Sequence, residues 1–148
     1  MKNMKNMKNM KNMKKMDVND YFAMFCINII AGFLTTMSIW ADKYSDMRTS
    51  LNDVYMVFLM TGWMFLFSGI FYREISIIII GLILVIFNIW CIRTQFLVTE
   101  EQYKLGMIPH HSMAIHMSKK LLEKKNNMPE FLENLIKTQE EEITFLKK

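Results

Sequence analysis

Residues 107–117 of this chain read Met107-Ile108-Pro109-His110-His111-Ser112-Met113-Ala114-Ile115-His116-Met117. All three histidines of the protein fall within seven of these positions, with three methionines interleaved. Imidazole with thioether is a soft to borderline donor set, better suited to copper than to Mg²⁺ or Ca²⁺. On a helix, His110, Met113 and Met117 share one flank, whereas His111 lines up with Ala114, Ser118, Leu121 and Leu122. His111 would then point toward a second helix and need a partner there, such as Gln139 or Glu142. His116 points away and is expected to be solvated. The same residues also permit a plainer role, in which the methionines pack and His111 is a hydrogen-bonded core residue.

The elements that must hold this segment are two helices. Thr99-Glu100-Glu101-Gln102 has the form of a capping box, and helix-forming residues follow to about Lys125. Pro109 is expected to bend or restart that helix. Asn126-Asn127 makes a turn, and Pro129 with Glu130 opens a second helix. Leu132, Leu135, Ile136, Ile143 and Leu146 keep a spacing of three to four within it. An αα-hairpin of this size buries too little to stand alone. It is expected to dimerise into a four-helix arrangement or to lean on the rest of the chain.

That remainder is apolar. Three stretches without a charge run at about residues 21–41, 54–72 and 75–92, long enough to cross roughly 30 Å of hydrocarbon. Tyr21, Trp40, Tyr44, Tyr72 and Trp90 near their ends suit an interfacial belt. Gly62 and Gly69 are seven apart, on a face where a neighbouring helix could come close. No ionisable side chain lies within a span, which disfavours a channel or transporter. If the three spans alternate in direction, Cys26 near the start of the first and Cys91 near the end of the third lie near opposite membrane faces, so both are expected to be unpaired thiols.

The net charge of +4 has a local origin. Six lysines and two aspartates fall in residues 1–20, whereas eight lysines and eight glutamates cancel between Thr94 and Lys148. The basic block adjoins a span, so topology explains it better than a nucleic-acid partner. The lysines place the N-terminus in the cytoplasm and, after three crossings, the hairpin on the trans side. Residues 1–12 are four copies of Met-Lys-Asn. They have no apolar face and are expected to be disordered, with Met13 or Met16 as alternative starts.

The string Gly106-Met107-Ile108-Pro109-His110-His111-Ser112-Met113-Ala114-Ile115, with the later Gln139-Glu140-Glu141-Glu142-Ile143, resembles the signature of the domain of unknown function 305 family, within the ferritin-like helical superfamily. One branch of that family carries a single helical pair after three transmembrane helices, the layout of residues 20–148. Because some members bind copper, the resemblance implies a metal role centred on His110 and His111, with Met107, Met113 and Met117 as soft ligands. The family's pattern often has Met where this chain has Leu146, and it has no Met-Lys-Asn repeat.

The expected architecture is therefore an all-α membrane protein: a disordered tail (1–20), a three-helix transmembrane region (21–93) and an extramembrane αα-hairpin, a ferritin-like half-bundle (94–148). The expected function is a membrane-anchored metal-binding module, copper preferred, with the lipid bilayer and a second copy of the chain as partners. The alternative is an assembly protein whose hairpin mediates oligomerisation without metal. An enzyme is not expected, because no nucleophile or paired carboxylates accompany the histidines.

Overall fold

The computed structural model describes residues 16–148, so the Met-Lys-Asn repeat lies outside the described residues. Five α-helices follow in order: α1 Val18–Leu34, α2 Leu51–Tyr72, α3 Ile75–Thr94, α4 Glu100–Leu122 and α5 Pro129–Leu146. Two short 3-10 turns, Met37–Trp40 and Tyr44–Asp46, lie between α1 and α2. Among the described residues there is no strand, and the fold is all-α.

Three segments are long and apolar enough to cross a membrane: Val18–Trp40, Leu51–Tyr72 and Ile75–Thr94. Most of their large side chains face outward, among them Phe22, Ile27, Phe67, Ile83 and Ile86. An exposed apolar surface of this extent is unlike that of monomeric soluble proteins, which seldom expose patches beyond a few hundred Å².

The first segment differs in detail from an unbroken span. Its helix starts at Val18, where Asp17 and Asp20 form a reciprocal cap. It stops at Leu34, and the hydroxyls of Thr35 and Thr36 bond back to the carbonyls of Ala31 and Phe33. Thr36 is extended, and the chain continues as a 3-10 turn to Trp40. Hydroxyl side chains of this kind weaken a helix end by competing with its ladder.

Helices α2 and α3 form the tight pair of the bundle. Arg73, left-handed at φ 58°, closes α2, and the Glu74 amide reaches back to the Gly69 carbonyl at 2.9 Å. This Schellman-type closure makes the turn at Arg73-Glu74. The glycines then explain the approach of the two helices. A Cβ at position 62 would lie 3.0 Å from Val85 N, and one at position 69 would lie 2.7 Å from Ile78 N. Both glycines face α3, as their spacing predicts. Cys26 and Cys91 are unpaired.

The hairpin is built as expected with one change. Helix α4 runs continuously through Pro109, which neither ends nor restarts it. Proline removes one donor, but the backbone dihedral it imposes is already helical, and Pro109 is buried there. Ile108 and Ile115 of α4 meet Ile143 of α5 in the hairpin core, flanked by Ile136 and Leu146.

The hairpin leans on the spans. The Asp42 amide donates to Ser112 Oγ at 2.9 Å, the Leu51 amide to Gln102 Oε1 at 2.7 Å, and Tyr55 Oη to the Phe96 carbonyl at 2.6 Å. Gln102 is the third helical residue after the Thr99 cap. Thr99 accepts the Gln102 amide, but the Gln102 side chain caps α2 instead of completing its own box. The connection between α1 and α2 and the hairpin therefore lie at the same end of the bundle, opposite the Arg73-Glu74 turn.

Candidate functional site

About two helical turns of α4, from Pro109 to His116, send their side chains in three directions. The cause is packing on two sides at once: α5 covers one face and the α1–α2 connection covers another. The buried residues Ile108, Ser112, Ile115 and Ser118 lie between these contacts.

His111 faces α5. Its Nδ1 lies 2.7 Å from Glu142 Oε2, and its side chain is 12% exposed. The two are not aligned as a hydrogen bond, and Nδ1 has no hydrogen-bond partner among the described residues. The Glu142 carboxylate is oriented by Gln139, whose Nε2 donates to the same oxygen at 2.9 Å. Both helix-α5 partners expected for His111 are thus present, with Gln139 acting through Glu142. Beside the pair lies an open groove of about 560 Å³ whose walls include Tyr103, Met107, His111, Glu142, Phe145 and Leu146.

The five expected metal ligands do not converge. Met107 and His111 share the groove, four residues apart on one face of α4. His110 is exposed, its ring centroid 6.0 Å from that of His111 and nearly perpendicular to it. Met113 is half-buried and Met117 exposed, and neither lines the groove wall. Among the described residues no group of three His, Cys, Asp or Glu side chains is placed to hold a metal ion. A metal in the groove would have one imidazole, one carboxylate and the Met107 thioether.

The His116 side chain is 41% exposed, and its Nδ1 lies 3.9 Å from Asp42 Oδ1. Helix geometry alone pointed it away from α5 correctly, but the α1–α2 connection occupies that side. Lys119 reaches the same aspartate at 2.7 Å.

The polar centre of this second face is Ser112. It is fully buried, accepts from the Asp42 amide and donates to Asp46 Oδ2 at 2.8 Å. Asp46 is only 2% exposed and is also paired with Lys147, the residue that follows α5. Burial pushes the Asp46 carboxyl up, but hydrogen bonds from Lys147 and Ser112 and the charges of Lys147 and Lys43 outweigh it. The net effect is a pKa below the ordinary carboxylate value. Asp42, Asp46, Ser112, Lys119 and Lys147 were not legible as a unit in the sequence. The one signal in the sequence was three aspartates in residues 42–53.

The comparisons agree with this layout. The family described as "Domain of unknown function (DUF305)" matches residues 94–148, the hairpin and the link before it. An uncharacterized protein of Acanthamoeba polyphaga mimivirus is 38% identical over 127 residues, covering 81% of this chain and 84% of that relative. The chain belongs to the domain of unknown function 305 family. No solved structure matches it significantly.

Proposed function

We propose that this protein is a membrane-anchored metal-binding module whose hairpin takes up a soft or borderline cation, copper preferred, in the groove between α4 and α5. Met107 and His111 are the proposed ligands with Glu142, and His110 contributes at the rim. The observation that carries the reading is the buried His111 Nδ1, set 2.7 Å from Glu142 Oε2 without an aligned hydrogen bond. The role is binding rather than catalysis, because no nucleophile stands beside the pair. The N-terminal lysines favour a cytoplasmic N-terminus and a hairpin on the trans side.

The test is titration of the full chain in detergent micelles with Cu(I) and Cu(II), comparing the wild type with His111→Ala, Glu142→Gln and His110→Ala. The first two should lose at least about tenfold in affinity for the nitrogen-coordinated ion, the scale that even outer-shell changes reach. His110→Ala should lose less. Identical titration curves for all four proteins would overturn the reading.

A second reading has its own observation. Phe131 and Phe145 on α5 are 60% and 73% exposed, a surface suited to pairing hairpins from two copies. In that case His111 and Glu142 tie α4 to α5, and their replacement changes stability or crosslinking yield while metal affinity stays constant.

A further inference from the structure

The buried carboxylate of Asp46 divides its two oxygens between the two helices of the hairpin. Oδ2 accepts from Ser112 Oγ of α4 at 2.8 Å, and Oδ1 accepts from Nζ of Lys147, the residue that closes α5. The groove has one wall on each of these helices. Ser112 directly follows His111, and Lys147 follows Phe145 and Leu146, which line the groove together with Glu142 one turn earlier. A single side chain from the α1–α2 connection therefore grips both walls close to the His111–Glu142 pair.

The pair does not fix its own separation. His111 Nδ1 and Glu142 Oε2 stand 2.7 Å apart without an aligned hydrogen bond. The core of Ile108, Ile115 and Ile143 draws α4 and α5 together, but apolar burial is non-directional. The last turn of a helix opens at little cost unless something ties it down, and on α5 that turn carries Phe145 and Leu146. Lys147 ties it to Asp46. Asp42 holds α4 in the same way: its amide donates to Ser112 Oγ at 2.9 Å, and its carboxylate meets Lys119 at 2.7 Å. Lys119 in turn lies 3.9 Å from Glu140 of α5.

The connection that carries both aspartates follows α1 and leads into α2, so a shift of either helix reaches Asp46. Of the three spans, the first buries the smallest share of its length and has the least packing to resist a shift. We infer that Asp46 is a positioning residue for the groove, through which the spans set the distance between His111 and Glu142. As regulation of a metal site this rests on the groove reading, whereas the hold on the end of α5 does not.

The test uses the full chain in micelles with two readouts: amide exchange of the metal-free protein, and titration with Cu(I) and Cu(II). In Asp46→Asn, exchange across residues 142–146 should quicken about tenfold, the effect of losing one hydrogen bond to a charged group. Copper affinity should fall about tenfold, the scale of an outer-shell change. Lys147→Met leaves Asp46 with Ser112, should repeat both effects, and serves if Asp46→Asn does not fold. Lys147→Arg keeps the charge and should bring both values back toward the wild type. Gly81→Ala disturbs the packing of α3 on α2 and controls for a general loss of stability. It should speed exchange within the spans but not at 142–146, with copper affinity unchanged. Exchange at 142–146 that stays at the wild-type rate in Lys147→Met, or that Gly81→Ala quickens equally, overturns the inference. Faster exchange with wild-type copper affinity, where His111→Ala does lose affinity, also overturns it. If His111→Ala titrates as the wild type does, the groove reading fails instead, and the exchange comparison alone decides whether Asp46 holds the wall.

Discussion

Ser112 Oγ donates to Asp46 Oδ2 at 2.8 Å, joining residues 66 positions apart in the chain. The serine immediately follows His111, so adjacent residues of α4 serve opposite faces. His111 contacts α5 through Glu142, while Ser112 holds the connection between α1 and α2. This pairing makes the hairpin and the spans one packed body. It also explains how a hairpin too small to be stable by itself keeps its shape.

Ser112→Ala tests that joint. It removes the donor to Oδ2 of buried Asp46 and one of two acceptors of the Asp42 amide, which also reaches the Ser112 carbonyl at 3.3 Å. Leaving a buried acceptor without its donor costs about 1–3 kcal/mol. Unfolding of the full chain in mixed micelles should shift by this amount, and amide exchange should quicken across residues 42–48. Unchanged exchange there would mean that the contact does not hold the connection in place.

Acid should release the same joint. The Asp46 carboxyl titrates below its ordinary value of 3.8 in the folded protein, so between the two values the unfolded state binds more protons. The stabilisation is therefore complete above the unfolded value and is lost as pH falls through the folded one. Lys147→Met removes the strongest lowering influence and leaves burial, which raises the pKa. The acid transition, followed by tryptophan fluorescence, should move to higher pH in that variant. A transition at the wild-type pH would contradict the assignment.

Gly81→Ala should be the most damaging single-methyl change in the spans. Its Cβ would lie 2.5 Å from Leu66 N and 2.8 Å from Leu66 Cα, both backbone atoms that cannot swing aside. Forcing two packed helices apart costs about 1–3 kcal/mol, as overpacking typically does. Gly106→Ala meets only Ser50, at 3.2 Å from Oγ, and should be much milder. Thermal aggregation of the two variants in micelles ranks them, and the reverse order would refute the packing argument.

Tyr55→Phe and Gln102→Ala each remove one link between hairpin and spans, at 2.6 Å and 2.7 Å. Each should cost about 1 kcal/mol, the usual net value of a hydrogen bond. Because they lie on the same interface, the double variant is the informative one. A loss that departs from the sum of the singles indicates cooperative docking, which limited proteolysis between residues 94 and 100 would report.

The sequence by itself determined the three apolar helices, the hairpin, its turn at Asn126-Asn127 and the helix start at Pro129. These follow from local properties: runs without charge, periodic apolar residues, caps and a proline at the first helical position. It also determined that Gly62 and Gly69 would face a neighbour, and that His111 would look toward Gln139 and Glu142. Three features depended on tertiary structure. Pro109 stays inside one continuous helix, because packing around a buried ring outweighs the loss of a single hydrogen bond. His116 is half-buried, because the α1–α2 connection covers the side of α4 that helix geometry left open. Of the five metal candidates only Met107 and His111 line the groove, while His110, Met113 and Met117 do not, because α4 is packed on two faces at once. Spacing along one helix gives the angle between side chains. Only the neighbouring elements decide which of those angles lead to a partner and which to solvent.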